Sequence, residues 1–139
     1  MFNNIIKAAE NFCIHQIRSE YTTNEELNKD RTLIAYIDID ANSGEKHRVY
    51  IIAEKAFVQK VSYIFLEEEE SDDETLHDML LETTNLIVGS AKVLAEESDE
   101  SYNINTPFFE KDGNFDFEYD SLKSFIIDDS KLSIAIKEL

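Results

Sequence analysis

The stretch LLETTNLIVGS, residues 80–90, lies at the centre of the longest helical pattern in the chain. Its apolar residues recur at helical spacing, and the pattern continues over about residues 73–97, which predicts one long helix. Glu82 and Asn85 lie inside this helix, one turn apart. A carboxylate and a carboxamide are unfavourable to bury without partners, so they should lie away from the apolar side.

Helical geometry places four polar or small residues on one side of this helix. At about 100° per residue, Asp78, Glu82, Asn85 and Gly89 fall within roughly 60° of one another. We call them the polar stripe and predict that it is exposed. The sector predicted to be buried is centred about 130° away. It contains Met79, Thr83, Leu86, Ile87, Ser90 and Leu94.

A polar stripe is not specific to a functional site. An ordinary solvated helix face has the same composition, and Glu25–Asn28 repeats the Glu-x-x-Asn spacing in a polar loop. Gly89 is more informative, because glycine inside a helix costs about 1 kcal/mol relative to alanine. Its presence suggests that another group approaches the helix closely there.

The residues before the long helix predict two helices and a hairpin. Residues 2–18 and 54–66 show one-sided apolar spacing typical of helices. Residues 33–40 and 47–53 are rich in β-branched and aromatic residues, and the turn formers of ANSGEK, residues 41–46, separate them. This pattern predicts a β-hairpin.

An acidic run, EEEESDDE at residues 67–74, connects the second helix to the third. Seven of its eight residues are acidic, so it must face water. Ser71 and Glu74 have the spacing of a capping box, which we expect to begin the long helix. The run could bind a divalent ion loosely, but a solvated loop is the preferred interpretation because fixed ligand geometry is missing.

The C-terminal third reads as strands. Residues 102–109 form a possible strand that contains Pro107, and residues 111–114 look like a turn. Aromatic residues alternate with acidic ones over 115–119, which predicts a half-buried strand. Two further strands, 124–129 and 131–139, close the chain with a turn near Asp128–Asp129. The whole chain, residues 1–139, is therefore interpreted as one α+β domain, a mainly antiparallel sheet covered by helices.

Charge and cysteine content limit the possible environments and partners. The 139 residues carry a formal net charge of −17, which disfavours nucleic acid and anionic membranes as partners. Cys13 is the only cysteine, so no disulfide can form within the chain, and its place on an apolar helix face predicts a small buried residue. No signal peptide or apolar run of membrane-spanning length is visible, and we expect a soluble cytoplasmic protein.

No metal or nucleophile motif is convincing. Residues 38–44 nearly spell a calcium loop, but Gly44 comes one position late and Val49 occupies the position of the closing glutamate. The three histidines, His15, His47 and His77, lack metal-ligand spacing. With only three glycines, the chain has no glycine-rich phosphate loop. We therefore predict no metal site in this chain.

One family resemblance is specific to particular residues. DMLLETTNLIVGSAKVL, residues 78–94, followed by NTP at 105–107, resembles the active-site helix of the CheC/CheX/FliY phosphatases. Asp78, Glu82, Asn85 and Pro107 match the family's motif residues, although the last gap is one residue shorter than usual. The order of predicted elements resembles CheX most. Two departures are Thr84, where glycine is common, and Thr83, where an apolar residue is usual; the acidic run is also not a feature we associate with the family.

The resemblance implies hydrolysis of the aspartyl phosphate of the response regulator CheY. It assigns Glu82 to a salt bridge with the regulator's active-site lysine and Asn85 to the attacking water. A carboxamide is too weak a base to accept a proton at neutral pH, so Asn85 would only orient the water. Asp78, Gly89 and Pro107 are candidate partner-binding residues. Asp78 either contacts the partner or keeps the stripe solvated, and Pro107 is expected to shape the loop facing the helix.

The resemblance also implies the cofactor and the assembly. Mg²⁺ would arrive bound to the regulator, so this chain would bind no cofactor itself. A homodimer joined through sheet edges is expected, as in CheX. The alternative is a non-enzymatic module of the same fold that binds a response regulator or a flagellar switch protein without hydrolysing anything.

Overall fold

The structure, a computed structural model, describes residues 1–27 and 30–139. Asn28, which ends the second Glu-x-x-Asn spacing at Glu25–Asn28, lies outside the described residues. The helices are α1 (Phe2–Asn11), which continues as a π-helix (Phe12–Ile17), α2 (Lys55–Leu66) and α3 (Asp73–Glu97). The strands are β1 (Thr22–Asn24), β2 (Thr32–Ala41), β3 (Lys46–Ala53), β4 (Tyr102–Ile104), β5 (Phe108–Gly113), β6 (Ser121–Ile127) and β7 (Ser130–Glu138).

The strands form one antiparallel sheet. Its order is β1-β6-β7-β3-β2-β4, and β5 pairs with β2 beside β4. The predicted hairpin is confirmed: Asp40 pairs with Lys46, and Gly44 has a φ of 93°, which glycine adopts without strain. The last hairpin turns through Asp128 and Asp129, whose φ angles are 48° and 66°. The predicted α+β class, an antiparallel sheet covered by helices, is confirmed.

The helices cover one face of the sheet and enclose the main core. α3 packs against α1, α2 and strands β2 to β5, so it is the central element of the helical layer. Ile5, Ile37, Ile51, Leu80 and Ile87 are all fully buried between the helices and the sheet. Burying each such side chain stabilises the fold by about 1.5–3 kcal/mol, so α3 is held firmly in place.

The opposite face of the sheet is covered by chain segments without regular structure. The strand predicted over 115–119 is wrong: these residues belong to no strand and pair with none. The chain must cross this face to pass from β5, beside β2, to β6, beside β7. Phe115 and Phe117 pack on Tyr50 during this crossing, with ring centroids 5.0 and 5.3 Å away. Aromatic alternation therefore arose from packing on the sheet and not from pairing within it.

The edge strands differ from their predicted limits. The predicted strand 102–109 is divided into β4 and β5 around Pro107, because proline has no N–H to donate to a ladder. The predicted turn at 111–114 is wrong, since β5 continues to Gly113. Asp112 pairs with Leu33 in the sheet and accepts a 2.8 Å hydrogen bond from the guanidinium of Arg31. The short strand β1 was missed within the predicted polar loop.

The connection into α3 is built differently from the predicted capping box. The N-cap is Asp72, whose carboxylate accepts a 2.8 Å hydrogen bond from the backbone N–H of Thr75. Ser71 instead bonds the hydroxyl of Ser62, at 2.5 Å, and donates its backbone N–H to the side chain of Gln59. The box fails because Ser71 is held by α2, while the predicted start at residue 73 is confirmed.

The first helical segment changes geometry part-way. The predicted helix over 2–18 is α-helical to Asn11 and π-helical to Ile17, and it ends at Arg18 in the left-handed region, with φ 58°. Cys13 is buried in it, as predicted. Burial and the nearby Glu10 carboxylate raise the pKa of this thiol to about 12, so it remains protonated.

Candidate active site

The polar stripe lies on the outer side of α3. Asp78, Glu82 and Asn85 are exposed, as the sequence predicted, whereas Gly89 is half-buried. Among the described residues, the side chains of Glu82 and Asn85 have no hydrogen-bond or ion-pair partner. Their polar atoms are therefore available to another molecule, while their roles stay a prediction.

The buried side of α3 lies opposite the stripe, farther around the helix than predicted. Leu86 and Ser90 were expected to be buried, but both are exposed. Leu76, Leu80, Val88 and Ala91 are buried instead, together with Met79, Thr83 and Ile87. The sheet contacts α3 from directly behind the stripe, and α1 leaves the flank at Leu86 and Ser90 open, which explains the error.

The two threonines that depart from the family motif are part of the core. Thr83 and Thr84 are buried, and each hydroxyl donates to the carbonyl four residues earlier, to Met79 at 2.8 Å and to Leu80 at 2.9 Å. Both hydroxyls are thereby satisfied inside the helix. The substitutions leave the side chains of Glu82 and Asn85 free of local hydrogen bonds.

An apolar groove of about 360 Å³ borders one side of the stripe. It lies between the end of α2, the π-helix and α3. We call this the groove, and its lining residues are Gln16, Phe65, Leu66, Met79, Glu82 and Leu86. The sequence did not predict this groove, because Leu86 was assigned to the buried sector of the long helix. The available signal was the position of Leu66, directly before four consecutive glutamates.

The other side of the stripe faces β4 and β5. His77, on α3, stacks on Phe109 of β5 with ring centroids 3.9 Å apart. Pro107 is half-buried in the connection between the two strands. α3 contacts both strands, so the connection that contains Pro107 lies on the side of α3 opposite the groove. The stripe therefore lies between β4 and β5 on one side and the groove on the other.

Gly89 does not relieve any crowding among the described residues. A Cβ atom added at this position would meet nothing within 4 Å. Within residues 1–27 and 30–139, no group makes the close approach that the glycine suggests. The surface at Gly89, one turn after Asn85, is therefore open to another molecule.

The described residues contain no group of three or more His, Cys, Asp or Glu side chains that could hold a metal ion. Asp38, from the near match to a calcium loop, forms two hydrogen bonds with the guanidinium of Arg48, at 2.7 and 3.0 Å. That segment is the β2–β3 hairpin, as expected. Within the same part of the chain, no helix is both long and apolar enough to cross a membrane.

Comparison with known families identifies the chain's relatives. A family model described as the chemotaxis phosphatase CheX matches residues 34–129, which is more than half of the chain and includes the whole polar stripe. The chain belongs to the CheX family. The resemblance that the motif residues suggested is thereby confirmed at the level of the family. Among curated protein sequences, none matches this CheX-family chain.

Solved structures show the same fold. CheX from Vibrio vulnificus is 17% identical, with a TM-score of 0.84 over 99% of this chain and 95% of that one. A CheC-like protein from Shewanella oneidensis is 16% identical, with a TM-score of 0.82 over 99% and 96%. A structure from Borrelia burgdorferi, described as a complex of CheX with CheY, BeF₃ and Mg²⁺, is 17% identical, with a TM-score of 0.72 over 99% and 97%.

Proposed function

We propose that this chain hydrolyses the aspartyl phosphate of a CheY-type response regulator. The observation that carries the proposal is the Asn85 amide, which is exposed and has no hydrogen-bond partner among the described residues. It projects from a helix of 25 residues whose opposite side is buried. Membership of the CheX family and the Borrelia complex support the choice of substrate.

The chemistry requires positioning more than covalent help. Water attacks phosphorus, the bond between phosphorus and the aspartyl oxygen breaks, and inorganic phosphate and a free aspartate result. A phosphoryl group in transfer needs an in-line nucleophile and neutralised charge, and the Mg²⁺ that supplies part of this neutralisation belongs to the regulator. The Asn85 amide can accept from and donate to the water, fixing its direction without taking its proton.

Glu82 is assigned to docking. It lies one turn before Asn85 on the same side of α3 and has no partner in the described part of the chain. A salt bridge to the regulator's active-site lysine would bring the Asn85 amide to the phosphoryl group. Asp78, Gly89 and Pro107 would complete the contact surface, at the two ends of the stripe and beside it.

The proposed assembly is a homodimer joined through sheet edges. β5 has β2 as its one strand neighbour within the described sheet, so its outer edge has backbone groups free to pair with another strand. Light scattering at micromolar concentration should give a mass near twice that of one 16.1 kDa chain. A mass of one chain at all concentrations would contradict the dimer.

The test of catalysis is Asn85→Ala. Phosphate release from a phosphorylated CheY-type regulator with Mg²⁺ should fall to the regulator's own rate, a loss of about a hundredfold or more in stimulated hydrolysis. The unfolding midpoint should not change, since the side chain contacts nothing in the fold. Asn103→Ala, an exposed asparagine on β4, is the matched control and should keep full activity.

Two results would contradict the mechanism or the activity. Unchanged phosphate release by Asn85→Ala would remove Asn85 from the chemistry. A wild-type chain that binds the phosphorylated regulator without accelerating phosphate loss would favour the non-enzymatic binding module instead.

A further inference from the structure

The groove beside the stripe exposes apolar side chains that the fold itself does not use. Leu66 is 47% exposed and Leu86 is 36% exposed, although both face the same depression between α2, the π-helix and α3. Phe65 and Met79 form its deeper part and pack against the core. Exposed apolar surface of this kind, next to polar residues, is typical of a contact surface.

The groove is continuous with the proposed docking site because they share a residue. Glu82 belongs to the stripe and also lines the groove. Leu86 follows Glu82 by four residues and lies on the same flank of α3. A protein whose lysine reaches Glu82 must therefore also cover Leu86 and the depression beside it. The inference thus rests on the proposed function.

The charge around the groove selects the surface that can cover it. Glu67 follows directly after Leu66, whereas Glu69 and Glu70 lie farther along the acidic run, where Glu68 and Ser71 bond the side chain of Gln59. The side chains of all three glutamates have no hydrogen-bond or ion-pair partner in the described part of the chain. Asp78 and Glu82 add two further carboxylates on the α3 side. An acidic or neutral partner surface would leave these groups unpaired, whereas a basic one would complement them.

We propose that the groove receives a bulky apolar side chain of the phosphorylated regulator, flanked on the regulator's surface by lysine or arginine. The apolar side chain fills the depression lined by Phe65, Leu66 and Leu86. The flanking cations face Glu67, next to Leu66, and are attracted by the rest of the acidic run. The groove therefore sets affinity and partner choice, while Asn85 acts on the phosphoryl group.

The apolar part is tested by binding and by kinetics. The probe is a purified CheY-type regulator saturated with Mg²⁺ and beryllofluoride, taking each such regulator of the same organism in turn. Leu66→Asn and Leu86→Asn should each raise Kd about tenfold. With the phosphorylated regulator, KM should rise similarly while kcat is unchanged. Val93→Asn is the matched control, since Val93 is 58% exposed on the same helix but does not line the groove.

The charged part is tested by the salt dependence of Kd. Raising KCl from about 0.05 M to about 0.3 M should weaken binding of the wild-type chain, because exposed charges are screened. The triple variant E67Q/E69Q/E70Q should bind more weakly at low salt and depend less on salt. The triple variant E45Q/E118Q/E138Q removes the same charge from other exposed positions and should behave like the wild type.

The possible failures are separable. Wild-type Kd for both Leu66→Asn and Leu86→Asn would overturn the groove as a docking site and leave the Asn85 result standing. If Leu66→Asn and Leu86→Asn bind the regulator more weakly but the wild-type chain does not accelerate phosphate loss, the proposed activity is rejected and the groove remains a docking site. A wild-type chain that binds no regulator would overturn both. A change of oligomeric mass caused by Leu86→Asn would show that a second copy of this chain covers the groove, which contradicts the proposal.

Discussion

The two faces of α3 are built from the same helix but are determined by different requirements. On the inner face, Leu80 and Ile87 are fully buried, and even the hydroxyls of Thr83 and Thr84 are bonded within the helix. On the outer face, Glu82 and Asn85 have no partner in the described residues. Folding accounts for each inner residue, whereas nothing in the fold requires a carboxylate and a carboxamide at the outer positions.

This difference separates stability from activity along one helix. Substitutions on the inner face should change the free energy of unfolding and leave the chemistry of the folded fraction intact. Substitutions on the outer face should do the reverse. The stripe and the inner face can therefore be tested against each other within the same element.

The largest expected effect is on the inner face. Leu80→Ala should lower the free energy of unfolding by about 2–5 kcal/mol, because it removes a fully buried side chain and leaves a cavity. Urea unfolding measures this loss, and phosphate release per folded molecule should stay unchanged. Asn85→Ala is the comparison variant and should stay within about 0.5 kcal/mol of the wild type. A similar loss of stability for both variants would contradict the claim that only the inner face determines stability.

The next effect concerns docking on the outer face. Glu82→Gln keeps the size of the side chain and removes its charge, so it should raise KM for the phosphorylated regulator about tenfold while kcat falls less. Steady-state phosphate release at varied regulator concentration separates the two constants. Glu96→Gln, an exposed glutamate near the end of the same helix, is the matched control. Equal effects of both variants would mean that only net charge matters.

At Gly89, the requirement for a stable helix and the requirement for a partner to approach closely oppose each other. Gly89→Ala should stabilise the chain by about 1 kcal/mol, since alanine favours the helix and its Cβ would meet nothing within 4 Å. If the regulator approaches this point closely, the same change should raise Kd. Thermal unfolding and a binding titration measure the two effects. Greater stability with unaltered Kd would remove Gly89 from the contact surface.

The smallest effect tests the beginning of the helix that carries both faces. The backbone hydrogen bond from Thr75 lowers the pKa of the Asp72 carboxyl, and its charged form therefore stabilises α3. Asp72→Ala should lower the unfolding midpoint at pH 7. Because a depressed pKa gives stability only while the group is ionised, the difference should shrink as the pH falls below about 4. A constant difference across this range would exclude the cap as the cause.

Periodicity predicted the elements whose contacts are local and missed those set by distant packing. The bounds of α3 were predicted correctly because its apolar residues and its acidic start are features of the local sequence. The segment 115–119 was read as a strand because alternation alone does not distinguish a strand in the sheet from a chain that crosses over it. Ser71 had the correct spacing for a cap, yet its partners are Ser62 and Gln59 on the preceding helix.

The candidate site was predictable for a related reason. The exposure of Glu82 and Asn85 follows from helical geometry, so the sequence sufficed. The groove did not follow, because its depth depends on how far α2 and the π-helix stand from α3. For an apolar residue at such a boundary, such as Leu86, the sequence alone does not distinguish a buried from an exposed position.

The acidic run has one more property that follows from the side chain of Gln59. This amide donates to the carbonyl of Glu68, at 2.9 Å, and accepts from the backbone N–H of Ser71, at 2.8 Å. Gln59 therefore holds the backbone of the acidic run at two points, Glu68 and Ser71, and fixes the path of the chain between them. The negative potential of the acidic run therefore has a direction in the frame of the molecule. This potential orients an approaching protein before contact. Gln59→Ala would remove both hydrogen bonds to the acidic run and keep the net charge, so the glutamates would orient a partner less well.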